Sequence, residues 1–209
     1  VAHTSNKLAY AKRLLVGSLV MSGGAQILMY FFPMNHLLSA NIFSTLFLAV
    51  WYIYFFDRLL SFSVFEFSNK LMIILALLAP VAIDGIKRIV INSGVDPLFN
   101  GMLLLIPSPI FTEGSVIFVG LAVWLYYTRS QRHLQLVILV GVGGLYLLMA
   151  KGQGILTEHI QWMMMFAVVP IAVYNGQKGK DRRYLFYVFY PTHLLVLYLL
   201  AYSFSLKIA

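Results

Sequence analysis

His193 is the first candidate for chemistry in this sequence, because it is set well inside the last long apolar run. A titratable side chain at membrane depth is costly unless it faces the interior of a helix bundle and finds a partner there. Pro191 cannot donate to the carbonyl of Tyr187, so we expect that free carbonyl to orient the imidazole. Phe189 and Tyr190 share the face of His193 and favour its neutral form, which is a general base. The alternative is a structural histidine that is hydrogen-bonded to another span.

Asp84 is the second candidate catalytic residue. It lies four residues before Arg88 at the end of an apolar run, a spacing at which the two side chains can form an ion pair. Without that pair, Asp84 would face the bundle interior, where a carboxylate can serve proton transfer. Glu113 sits in a stretch that prolines interrupt, and we expect it to lie in a solvated loop.

The composition excludes several kinds of site. With no cysteine among its 209 residues, the chain cannot form a disulfide, a thiolate metal site or a cysteine acyl-enzyme. No two histidines lie three or four residues apart, so the sequence predicts no metal site. The net charge of +8 comes from cations scattered between apolar blocks, which argues against a nucleic-acid partner.

These candidates must be positioned by membrane helices. The chain is 61% apolar and 11% charged, whereas soluble domains are roughly 45–50% apolar and about 25% charged. Helices satisfy their own backbone hydrogen bonds in hydrocarbon, and the apolar runs lack the alternation typical of strands. The sequence therefore predicts one all-α transmembrane domain over residues 1–209, a polytopic helical bundle of about seven or eight spans. The clear runs are Leu14 to Phe32, Ile42 to Phe56, Leu71 to Ile83, Leu136 to Ala150, Trp162 to Tyr174 and Leu185 to Phe204.

One further stretch, Leu98 to Tyr127, is too long for one straight span and is interrupted by Pro107, Pro109 and Gly114. A net single crossing puts 11 of the 15 Lys and Arg residues on one side, so the positive-inside rule favours one broken span. That side, with the N-terminal end and the 178–183 loop, is then cytoplasmic. Broken helices are tolerated where they are buried or line a cavity, so the break is a cavity candidate; a lumenal hairpin is the alternative.

Small and polar residues recur at helical spacing on two of the predicted spans. Ser18, Ser22 and Gln26 follow each other at intervals of four, and Gly141 and Gly144 lie three apart. Such faces let helices approach closely and hydrogen-bond to one another. We expect both to be packing features.

The most informative pattern lies in residues 161–200. It consists of a Gln-Trp pair, an apolar run, Tyr-Asn-Gly, a basic Gly-Lys loop and an aromatic segment that ends in Tyr-Pro-x-His-Leu. The pattern resembles the TraX family, integral-membrane proteins named for the acetylase of conjugative pilin. The matching residues are Gln161, Trp162, Tyr174, Asn175, Gly176, Gly179, Lys180, Tyr184, Phe186, Tyr187, Phe189, Tyr190, Pro191, His193 and Leu194. Two other segments are more weakly similar to the family. One contains Asn41, Ile42, Phe43, Thr45 and Leu46, and the other contains Asp96, Gly101, Leu103 and Leu104.

The chain departs from this family in two places. The family's Asp-Tyr-Gly reads Asp96-Pro97-Leu98 here, and the two spans with which the family usually begins are not among these residues. The first of those spans carries an Asp-His pair that resembles the base of acyltransferase family three, so the base could lie upstream of Val1. The absence of an initiator Met agrees with a chain that is the C-terminal part of a longer protein.

The resemblance implies an acetyltransferase of the bacterial inner membrane that moves acetyl from cytoplasmic acetyl-CoA to a pilin-like N-terminus or a glycan. Phosphates of the donor need cations on the cytoplasmic side, and basic loops there also fix orientation and contact anionic lipid. Asn175 with Gly176 is typical of a helix C-cap, and an anion-binding nest is the alternative. The candidate donor-binding residues are Arg129, Arg132, Asn175, Lys178, Lys180, Arg182 and Arg183.

A second class of function stays open. The same bundle would also suit a non-catalytic subunit of a membrane assembly, or a transporter of lipid or small molecules. In either case the expected partners are membrane lipid and other membrane proteins.

Overall fold

The computed structural model describes residues 6–33, 41–61, 67–94, 97–150, 160–175, 177 and 182–208. Every regular element in these ranges is helical, which confirms the predicted all-α class. The elements are α1 (Lys7–Phe31), α2 (Ile42–Ser61), α3 (Phe67–Asn92), α4 (Pro97–Leu104), a 3₁₀ turn (Pro109–Phe111), α5 (Ser115–Tyr127), α6 (Arg132–Met149), a 3₁₀ segment (Ile160–Ala167), α7 (Val168–Val173) and α8 (Arg183–Ile208).

Four of the described helices are long and apolar enough to cross a membrane, namely Lys7–Phe31, Ile42–Ser61, Arg132–Met149 and Tyr184–Phe204. Ser115–Tyr127 and Ile160–Val173 are apolar but shorter. Apolar side chains such as Leu60 and Leu148 are 76% exposed, whereas Lys87 and Ser18 are buried. Apolar groups outside and polar groups inside are typical of a protein whose solvent is lipid.

Asparagine side chains start two of these helices. Asn6 accepts a hydrogen bond from the backbone N–H of Ala9 at the start of α1. Asn41 accepts one from the N–H of Ser44 at 3.2 Å, which caps α2 in the same way. These caps satisfy backbone donors that a helix cannot pair internally.

A proline inside α3 is compensated by a neighbouring helix. Pro80 has no N–H, so the carbonyl of Ala76 loses its usual helical partner. The indole Nε1 of Trp51 on α2 donates to that carbonyl at 2.9 Å. The proline therefore creates a hydrogen bond between α2 and α3.

The chain forms two compact units. One contains Val1–Val123 and Arg182–Ala209, and the other contains Trp124–Asp181. The core of the first unit is formed by Leu14, Met21, Phe43 and Val50, with aromatic residues of α8 packed against it. Phe43 stacks on Tyr187 with ring centroids 5.4 Å apart.

In the second unit α6 packs against the 3₁₀ segment. A Cβ on Gly143 would lie 3.0 Å from the carbonyl oxygen of Trp162 and 2.2 Å from Cγ of Met165, so only glycine fits there. A Cβ on Gly141 or on Gly144 would have no described atom within 4 Å. The prediction of close approach on this helix is thus right, but the glycines it named are wrong.

Candidate functional site

Residues 105–114, between α4 and α5, form the centre of the candidate site and are called the break. Pro107, Ser108, Pro109 and Thr112 are buried, whereas Ile106 and Ile110 are exposed, so the break is partly enclosed by protein. Gly114 adopts the left-handed φ of +70° that ends it, and a Cβ there would collide with Phe118 at about 2 Å. The two predicted alternatives, a break that lines a cavity and a lumenal hairpin, both stay predictions.

Side chains of α1 and α3 hold one side of this region. Gln26 donates from Nε2 to the carbonyl of Gly101 in α4 at 2.6 Å. Lys87 donates from Nζ to the carbonyl of Ile106 at 2.5 Å and lies 2.9 Å from Oγ of Ser108. Lys87 and Ser108 are each 1% exposed. These bonds replace the internal pairing that a continuous helix would have supplied.

Asp84 binds the break instead of pairing with Arg88. Its Oδ2 accepts a hydrogen bond from the N–H of Ile110 at 3.0 Å, and the side chain is buried. The predicted ion pair is therefore wrong, because Arg88 lies on the exposed side of α3 while Asp84 faces inward. The other carboxylate oxygen, Oδ1, is buried and has no hydrogen-bond partner in the described part of the chain. We call Asp84, Lys87 and Ser108 the α3 side of the break.

The other end of the break is held by α2 and α8. Thr45 donates from Oγ1 to the carbonyl of Glu113 at 2.9 Å. The hydroxyl of Tyr190 donates to Oε2 of Glu113 at 2.7 Å and accepts from the N–H of Ile42 at 3.3 Å. The expectation that Glu113 lies in a solvated loop is wrong. The residue is half-buried, and its backbone carbonyl and its carboxylate each accept a hydrogen bond.

The start of α2 lies at the middle of α1. Asn41 donates from Nδ2 to the carbonyl of Ser18 at 3.0 Å and to Oγ of Ser22 at 2.6 Å. Ser18 and Ser44 are hydrogen-bonded through their hydroxyls at 2.6 Å. The predicted polar stripe of α1 is thus confirmed as a packing feature. It also places the N-terminus of α2, the positive end of its dipole, beside the Glu113 and Tyr190 pair.

His193 lies next to this pair on α8. Its ring stacks on Phe189 at a centroid distance of 5.0 Å and meets Tyr190 edge-on at 5.3 Å. Nδ1 lies 3.0 Å from the carbonyl oxygen of Phe189. The predicted aromatic surround is confirmed, but the carbonyl is that of Phe189 and not that of Tyr187. We call Glu113, Tyr190 and His193 the α8 side of the break.

The carbonyl fixes the tautomer of His193. Since a carbonyl oxygen only accepts hydrogen bonds, Nδ1 must carry the hydrogen. The neutral ring then has its lone pair on Nε2, which makes no hydrogen bond to any described residue. This arrangement is what a general base requires.

Two of the predicted donor-binding cations, Arg129 and Arg132, lie in the second unit. Arg132 donates to the carbonyls of Ala172 and Tyr174, at 3.3 and 2.6 Å, and so closes the end of α7. Arg129 donates to the carbonyl of Tyr126 and lies over the ring of that tyrosine at 4.4 Å. Both arginines therefore have local structural partners.

The remaining predicted donor-binding residues lie at the end of the second unit and the start of α8. Asn175 accepts from the N–H of Gln177 and lies beyond the end of α7 at Val173, while Gly176, the other residue of the predicted helix cap, lies outside the described residues. Arg182 precedes α8 and is exposed. Lys178 and Lys180 lie outside the described residues, as does the side chain of Arg183.

Sequence reasoning missed the polar residues that hold the break. Lys87 follows Asp84 by three residues and shares its face, which was a usable signal. Thr45 and Tyr190 belong to the pattern that resembles the TraX family, but nothing in the sequence indicated that they bond to Glu113. Within the described ranges, no three His, Asp or Glu side chains form a group suited to a metal ion. Compared with known proteins, the chain matches no family model, no curated protein and no solved structure.

Proposed function

We propose that this chain is the acyl-transferring part of an integral-membrane acetyltransferase. The observation that carries the proposal is the α8 side of the break. There Nδ1 of His193 bonds to the carbonyl of Phe189 and Nε2 has no described partner, beside a tyrosine that Glu113 and Ile42 hold in place. The motif that resembles the TraX family contains both Tyr190 and His193.

The proposed reaction moves acetyl from the thioester of acetyl-CoA to an amine or hydroxyl. The acceptor gives its proton to Nε2 of His193 while its nitrogen or oxygen attacks the thioester carbonyl carbon. The C–S bond breaks, and the departing thiolate takes the proton from the imidazolium. The Nδ1 hydrogen bond to Phe189 keeps the ring oriented throughout.

Tyr190 and Asp84 have positioning roles in this proposal. The ring of Tyr190 contacts the imidazole edge-on, and its hydroxyl is fixed by two partners. Asp84 holds the N–H of Ile110, and its catalytic role stays a prediction.

The proposal keeps the cellular setting that the resemblance implies. The protein would cross a bacterial inner membrane about seven or eight times, taking its donor from the cytoplasm. A pilin-like N-terminus or a glycan would be the acceptor, and lipid and other membrane proteins the neighbours.

The experiment is an acetyl-transfer assay. The full-length protein in detergent is incubated with labelled acetyl-CoA and with amine-bearing or sugar-bearing acceptors. Label should move to at least one acceptor class, and it should not move with boiled protein. Absence of transfer together with absence of CoA binding by calorimetry would contradict the proposal.

A transporter is the second candidate, and one observation favours it. A break held by buried charged side chains near the middle of a bundle is typical of helices that line substrate paths in transporters. Asp84 Oδ1 is a buried acceptor without a described partner there. Uptake of labelled lipid or sugar into vesicles, lost in Asp84→Asn but not in His193→Gln, would favour this candidate.

A further inference from the structure

A cleft opens where the start of α1, the end of α2 and the start of α3 meet. It has a volume of about 390 Å³, which is within the usual range for small-molecule sites. Leu8, Met72 and Ile73 form its apolar wall, and the rest of the lining is Tyr54, Phe55, Arg58 and Asn69. The proposed chemistry uses none of these residues.

This end of the first unit is basic. An ion pair between Lys7 and Asp57 joins the start of α1 to the end of α2. Over residues 6–13 and 54–73 the sequence has five Lys or Arg against two carboxylates, Asp57 and Glu66, and Glu66 lies outside the described residues. The cleft therefore lies in a positive field that attracts anions.

Arg58 is the cation in the cleft wall. It is exposed, and its guanidinium lies over the ring of Tyr54 at 5.0 Å. A guanidinium pairs with phosphate through two parallel hydrogen bonds, and aromatic rings such as Tyr54 and Phe55 stack on heteroaromatic bases. A phosphate and a planar base next to an apolar wall are the features of a nucleotide-bearing carrier. A lipid has no planar base to occupy the aromatic wall.

We propose that this cleft binds the phosphate- and nucleotide-bearing end of the acyl thioester donor. The inference rests on the proposed acetyl transfer and places part of the donor at a different site from the predicted donor-binding residues. Arg58 and Thr45 both lie on α2, about 20 Å apart along its axis. A carrier with a long flexible arm can thus be held at Arg58 while its thioester lies near Glu113.

The test compares two donors. Acetyl-CoA carries the phosphates and the base, whereas acetyl-pantetheine has the same thioester and arm without them. In Arg58→Ala, KM for acetyl-CoA should rise about tenfold while kcat and the KM for acetyl-pantetheine stay unchanged. Arg58→Lys should recover part of the affinity. Arg88→Ala removes an exposed arginine far along α3 and should change neither KM.

Several outcomes would overturn the inference. An unchanged KM for acetyl-CoA in Arg58→Ala would do so while leaving the proposed function intact. Equal rises for both donors would mean that the substitution acts on the fold. If Arg58→Ala lowers the amount of phosphatidylglycerol that the protein binds from vesicles but leaves its affinity for CoA unchanged, the cleft is a lipid site. Direct CoA titration separates the two proposals: CoA binding that depends on Arg58 without any acetyl transfer would support the cleft and contradict the transferase.

Discussion

The two sides of the break differ in how far their polar side chains are buried. On the α3 side, Lys87 and Ser108 are each 1% exposed and bond to one another, and Lys87 also bonds to the backbone of the break. On the α8 side, Glu113, Tyr190 and His193 are half-buried, and His193 has a lone pair without a described partner. Fully enclosed and paired groups stabilise a conformation, whereas partly open groups can meet a substrate. We therefore assign structure to Lys87 and Ser108 and chemistry to the α8 side.

The largest expected effect is on catalysis at His193. In His193→Gln the amide can still donate to the carbonyl of Phe189, but the base is lost, so kcat should fall roughly 10²–10⁴-fold. The melting temperature should change little, since the hydrogen bond to the carbonyl of Phe189 is retained. His133→Gln, an exposed histidine on α6, is the control. A parallel loss of thermal stability and activity would mean that His193 is a packing residue.

The next effect is on stability at Lys87. Lys87→Met removes the donor to Ile106 and the partner of Ser108, so buried polar groups lose their hydrogen bonds at a cost of roughly 2–4 kcal/mol. Thermal unfolding in detergent measures this loss of stability. The control is Lys70→Met, at the less buried start of α3. An unchanged melting temperature would contradict the structural role of the α3 side.

Tyr190→Phe should have a smaller effect on stability. It removes one hydroxyl that bonds to Glu113 and Ile42, which costs about 1–2 kcal/mol. Because the imidazole then loses its fixed neighbour, kcat should fall as well, while KM for the donor stays the same. Tyr187→Phe is the matched control, since its hydroxyl has no such bonds in the described structure. Equal effects of the two substitutions would argue that the Glu113 contact is unimportant.

Arg132→Ala should have the smallest effect. It removes a cation that bonds to the exposed end of α7, worth less than about 1 kcal/mol. The KM for acetyl-CoA should not change, because the guanidinium is already committed to two carbonyls. A clear rise in that KM would restore Arg132 as a donor-binding residue and weaken the assignment to Arg58.

The two interior prolines show how far sequence reasoning reaches. Pro80 and Pro191 each free a carbonyl four residues earlier, and for Pro191 the sequence predicts that His193 takes it. At Pro80 the partner is Trp51 of another helix, while near Pro191 the imidazole binds the carbonyl of Phe189. The freed carbonyl follows from local chemistry. Its partner depends on which side chains the packing brings near.

Local patterns were sufficient for the helices. Five of the six clear apolar runs lie within one described helix each, apart from a terminal residue in two of them, whereas the run Trp162 to Tyr174 is divided between the 3₁₀ segment and α7. The interruption at Pro107 to Gly114 lies in the break. The stripe of Ser18, Ser22 and Gln26 was predicted as an interhelical face and is one. These features depend on hydrophobicity and on backbone geometry within a few residues, and both can be evaluated from the sequence.

Contacts between distant residues had to come from the tertiary structure. Asp84 reaches Ile110 in preference to its helical neighbour Arg88, and Glu113 meets Tyr190 across 77 positions of chain. In a membrane interior each polar group must find a partner, and many pairings satisfy that requirement equally well. Composition and periodicity therefore determined that polar groups would be buried between helices. Only the packing of α1, α2, α3 and α8 decided which of them meet, because that choice depends on the depth and rotation of whole helices.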